Sequence, residues 1–161
     1  MNKRSKQLGL AAIMIVVSWY GMMGVHEAGH CLGGLMTGGR IERVEFPLIG
    51  FSRTDVSGSR NPLLVTWAGP VAGTGVPLAL LAIVPWAGRS LKQCLLFFVG
   101  FCLIANGIYI GTGGFMAGGD GADLLARGAR LWQLVVFGVA ALLGGLVVWH
   151  RLGRVTKWFV T

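Results

Sequence analysis

The sequence predicts an all-α membrane protein, a polytopic bundle of about four transmembrane helices with a short β-hairpin inserted after the first. Three observations carry this. Of 161 residues, 54% are hydrophobic and only 12% are charged, about half the charge of ordinary soluble domains. Four apolar stretches reach the roughly 20 helical residues needed to cross a hydrocarbon core of about 30 Å. One short segment among them mixes charges with alternating apolar residues. A single membrane-embedded domain over residues 1–161 is expected at this length.

The first span is expected over 8–37. Its charge-free run from Leu8 to Val25 is longer than a secretory leader's core, so the basic start is read as the flank of a retained helix. Gly38 and Gly39 supply the stop. Residues 40–57 place Val44, Phe46 and Leu48 at alternate positions, then a turn signal at Gly50 and a second short run, the pattern of a β-hairpin. The second span, 62–86, opens with Asn61 as N-cap and Pro62 at the first helical position, and closes at Pro85 and Gly88. The third is expected over 91–110 and the fourth over 131–149. Between them, residues 111–130 are glycine-rich and then turn helical near Leu124. The 27 glycines suit close helix approach in lipid.

The net charge of +8 does not indicate nucleic acid, because the basic residues sit in short segments between apolar runs, where they meet lipid headgroups. Alternate crossing puts Lys3, Arg4, Lys6, Arg89, Lys92, Arg151, Arg154 and Lys157 on one side, against Arg40, Arg43, Arg53, Arg60, Arg127 and Arg130 on the other. That bias leaves the orientation open. Cys31, Cys94 and Cys102 lie in apolar stretches and read as small core residues, not disulfides.

The chemistry concentrates at His26-Glu27-Ala28-Gly29-His30. Residues i and i+4 share one helix face, so both imidazoles can bind one metal while Glu27, offset around the helix, serves as general base. Ionisable groups inside a span are costly and point to a functional site. A catalytic zinc site needs a third protein ligand and an open position. Glu42, Glu45 and Asp55 lie among arginines and read as solvated ion pairs, and His150 sits at the interfacial end of the last span. Asp120 and Asp123 remain, in Gly119-Asp120-Gly121-Ala122-Asp123. Asp120 is favoured, because flanking glycines let the backbone turn sharply and approach closely. Asp123 is the runner-up, and either can instead cap a helix starting near Leu124.

The order of these motifs resembles the site-2 protease family of intramembrane zinc metalloproteases. The resemblance rests on His26 to His30 in the first span, a β segment, Ala68-Gly69-Pro70-Val71-Ala72-Gly73 in the second, and Asp120-Gly121-Ala122 after the third. It runs from about Leu8 to Leu125 and implies a minimal core without the regulatory domain appended in larger relatives. It implies one zinc ion held by His26, His30 and Asp120, with Glu27 as the base. In the family an Asn- and Pro-containing stretch usually precedes the Asp-Gly motif. Here Asn106 lies well upstream, with no proline between. Asn106 is a candidate donor to a substrate carbonyl, and Gly69 and Pro70 are candidates for loosening the second span near the substrate, with tight helix packing as the other reading.

The implied activity is hydrolysis of peptide bonds in or next to transmembrane segments of membrane-protein substrates, in the cell membrane. The β segment offers an edge for an extended peptide. The alternatives are a non-hydrolytic metal-binding membrane protein, such as a transporter or sensor component, and an inactive structural partner. Expected partners are the lipid bilayer and a membrane-protein or peptide substrate, with room for a regulatory membrane partner.

Overall fold

The computed structural model describes residues 2–86, 88–116 and 118–155. Its elements are α1 (Lys3–Met36), β1 (Arg40–Glu45), β2 (Arg53–Ser57), α2 (Pro62–Leu80), a 3-10 turn (Val84–Trp86), α3 (Arg89–Gly113), α4 (Asp120–Ala126) and α5 (Leu131–Val155). Four of the helices, α1, α2, α3 and α5, are long and apolar enough to cross a membrane. Lys157, assigned above to one basic flank, lies outside the described residues.

Several boundaries differ from expectation. Helix α1 starts at Lys3, five residues before Leu8, because the Asn2 side chain accepts from the Ser5 amide at 2.8 Å and caps it. Helix α2 stops at Leu80, giving way to turns before Pro85. Its start is as read: the Asn61 side chain accepts from the Leu64 amide at 3.0 Å, with Pro62 in the first turn. Helices α3 and α5 extend beyond 91–110 and 131–149, since neither Lys92, the glycines at 111 and 113, nor His150 breaks a helix.

The hairpin is antiparallel, with Val44 opposite Thr54 and Arg43 opposite Asp55, and its register shifts between Ile41 and Arg43. Phe46 and Leu48, expected in a strand, instead belong to the connection between β1 and β2. That connection runs back along α1, where the Tyr20 hydroxyl donates to the Leu48 carbonyl at 2.9 Å. Side-chain alternation in β2 then sorts its residues. Thr54 and Val56 face α1, with Ser52 just before the strand in phase with them, while Arg53 and Asp55 pair on the other face at 2.7 Å.

Small residues set the helix spacing. A Cβ on Gly33 would stand 2.6 Å from Ala68 Cβ, and one on Gly29 would strike the Ala68 carbonyl, so α1 and α2 pack at short range through Gly29, Gly33, Ala68 and Ala72. Helix α5 lies against the far side of α3, with Gly138 against Gly107 and Gly111, and the Trp149 indole donating to the Phe97 carbonyl at 3.0 Å. Of the cysteines, only Cys102 is buried; Cys31 is half-buried and Cys94 exposed, and all three are free.

Candidate metal centre

The motif lies in the last third of α1, with Ala28 about 12 Å from the end of the helix at 1.5 Å per residue. His26 and His30, one turn apart, bring their Nε2 atoms within 3.1 Å of each other. Asp120 Oδ2 stands 2.6 Å from the first and 3.2 Å from the second.

Each imidazole is oriented from behind. The Nδ1 of His30 donates to the Val65 carbonyl at 2.8 Å. The Nδ1 of His26 lies 2.7 Å from Asn106 Oδ1. The Asn106 amide nitrogen is committed to the carbonyls of Cys102 at 2.9 Å and Gly73 at 3.3 Å, which turns its oxygen toward His26. The carbonyl of Gly73 is free to accept because Pro77, four residues on, has no N–H to offer it. Both neutral rings therefore carry their proton on Nδ1 and turn an Nε2 lone pair inward.

Three acceptor atoms thus converge: two imidazole nitrogens and a carboxylate oxygen. Such a set is stable only around a cation or an extra proton, and it fits a metal. Ligands of tetrahedral zinc at about 2.0–2.1 Å stand about 3.3 Å apart. The edges of 3.1 and 3.2 Å are close to this, and the shorter His26–Asp120 edge needs only a small opening. His26, His30 and Asp120 form a group that can hold a metal ion.

Asp120 reaches the histidines because α4 begins at this residue and not near Leu124. Gly119 precedes it at φ 83°, where side-chain-bearing residues are strained, and Gly121 lies so close to Gly113 that a Cβ on Gly113 would be 2.8 Å from Gly121 Cα. The Asp120 N–H donates to the Tyr109 hydroxyl at 3.2 Å. Neither Asp120 nor Asp123 caps the helix with its side chain. Asp123 is instead 59% exposed and faces Arg127 at 3.7 Å, whereas the Asp120 side chain is 18% exposed.

Glu27 is buried beside the cluster. One carboxylate oxygen accepts from the Ser52 hydroxyl and the other from the Thr54 hydroxyl, each at 2.6 Å. Glu27 lies on the wall shared by two cavities. One, of about 430 Å³, is mainly apolar and includes Trp19, Met22 and Ile108. The other, of about 810 Å³, is polar and reaches His30, Asp120 and Arg127. Phe51 borders both, stacked on Tyr109 at 5.1 Å between ring centroids. No described residue of α5 lines either cavity.

Three expectations change. Asn106 has no amide hydrogen left for a substrate carbonyl; it holds His26. Gly69 and Pro70 line neither cavity. Gly69 makes room for the His30 ring, into which any Cβ would run, and α2 continues unbroken through the buried Pro70. The third concerns Glu42, which accepts from the Ser57 hydroxyl and not from an arginine, while Glu45 and Asp55 form the expected ion pairs with Arg43 and Arg53. His150 is exposed near the end of α5, away from the cluster.

Sequence reading missed Ser52, Thr54 and Tyr109. The hydroxyls at alternate positions 52 and 54, and a tyrosine three residues after Asn106, were the available signals. Comparison with protein-family models, with characterised proteins and with solved structures gives no match.

Proposed function

We propose that this chain is a zinc metalloendopeptidase of the site-2 protease type, hydrolysing peptide bonds in or next to transmembrane segments of membrane proteins in the cell membrane. The observation that carries the proposal is the convergence of His26, His30 and Asp120 acceptor atoms beside a buried carboxylate, Glu27, that borders both an apolar and a polar cavity. A metal-storage or transport site has no use for that carboxylate. A hydrolase does.

His26, His30 and Asp120 would hold the ion, and of these His30 and Asp120 also border the polar cavity. A zinc ion held there would supply Lewis acidity for polarising a carbonyl and for lowering the pKa of water toward neutrality. Glu27 takes a proton from the attacking water through a lone pair not used by Ser52 or Thr54, and delivers it to the leaving amine as the C–N bond breaks. The apolar cavity accepts side chains of a membrane segment, and the polar one admits the water the reaction consumes. A helical substrate hides its backbone, so it must unwind to reach Glu27. The outer edge of the hairpin offers backbone partners to the extended strand.

The test is purification of the full chain in detergent, measurement of zinc, and cleavage of a panel of transmembrane peptides by the wild type and by Glu27→Gln. Zinc bound by both, with cleavage only by the wild type, supports the proposal. Equal cleavage by both removes Glu27 as the base. Zinc without cleavage in the wild type supports the non-hydrolytic metal-binding reading.

A further inference from the structure

We propose that Ser52 and Thr54 are positioning residues for Glu27, so that the hairpin is part of the catalytic apparatus; this rests on the protease reading above. Glu27 is 3% exposed, and a buried carboxylate without hydrogen-bond donors is costly. Its partners come from a different element, 25 and 27 residues along the chain. Both bonds, at 2.6 Å, are in the short range typical of hydroxyl donors to a carboxylate.

The arrangement does more than satisfy a charge. One donor on each oxygen fixes both the location and the rotation of the carboxylate plane, as a single donor would not. Each oxygen keeps a lone pair, so the group can still receive a proton. Register makes the pair a unit: Ser52 and Thr54 share a face of the extended chain, and the next residue on that face, Val56, packs against Gly34, seven residues beyond Glu27 on the same side of α1. Val56 seats the strand, and the two hydroxyls aim the base. Neither hydroxyl contacts His26, His30 or Asp120 within hydrogen-bond distance among the described residues, so their role is separable from metal binding.

The experiment uses the full chain with zinc, reconstituted in liposomes, and a transmembrane peptide from the panel above. Ser52→Ala and Thr54→Val are each expected to lower kcat about tenfold and together about a hundredfold, the scale of a misplaced catalytic group. KM should change less than about twofold and bound zinc should not change. Ser52→Thr and Thr54→Ser, which keep the hydroxyls, should restore most of the rate. Unchanged kcat in the double variant, a rise in kcat, or zinc loss parallel to the loss of rate would overturn the role. A wild type that cleaves no peptide overturns the protease reading and this role with it, whereas wild-type cleavage that ignores both hydroxyls overturns this role alone.

Discussion

Asn106 Oδ1 and His26 Nδ1 stand 2.7 Å apart in a buried contact between the third and first helices, and this contact decides which nitrogen of His26 faces Asp120. Removing a partner that orients a metal-binding histidine typically costs about 10- to 100-fold in affinity. Asn106→Leu, similar in size but unable to accept, is expected to weaken zinc binding by that factor, measured by competition with a chelator. Asn106→Asp retains the accepting oxygen and is expected to weaken it less.

Asp120 and Asp123 are separated by less than one helical turn yet face different surroundings, one the histidines and the other Arg127. Asp120→Ala is expected to abolish stoichiometric zinc, while Asp123→Ala retains it, by elemental analysis of purified protein. Zinc lost only in the second variant would reverse the assignment.

Gly69 is a packing position, because a Cβ there would enter the His30 ring. Gly69→Ala should destabilise the protein by about 1–3 kcal/mol, the usual cost of overpacking, and lower zinc occupancy. Gly75→Ala, on the same helix with nothing within 4 Å of its added carbon, should be neutral or stabilising by up to about 1 kcal/mol. Thermal unfolding in detergent compares the two.

Gly119 turns the chain into α4 at φ 83° and ψ −179°, against the Tyr109 hydroxyl. Side chains are strained in that backbone region by about 1–3 kcal/mol. Gly119→Ala should therefore reduce zinc occupancy by shifting Asp120, without affecting helix content by circular dichroism. Full occupancy in this variant would show that the turn does not set the ligand's position.

Much of the site was legible from local rules. The four apolar runs announce helices by length, and the spacing of His26, Glu27 and His30 on a helix already places the imidazoles one turn apart. The position of α4 was harder. Six glycines between 111 and 121 look like a helix breaker, but in the packed chain Gly111 and Gly113 lie within α3, where Gly138 and Gly121 approach them too closely for any side chain. Composition alone does not distinguish a glycine that ends a helix from one that admits a neighbour.

Sequence by itself determined the helical membrane class, the hairpin after the first helix, and the His-Glu-His cluster, because hydropathy and helical periodicity act over a few residues. Only tertiary structure decided that Asp120 and not Asp123 meets His26, that Asn106 orients His26, and that Ser52 and Thr54 hold Glu27. Those contacts join residues 94, 80, 25 and 27 positions apart. They depend on how closely Gly29, Gly34, Gly113 and Gly121 let the elements approach, which no local pattern encodes.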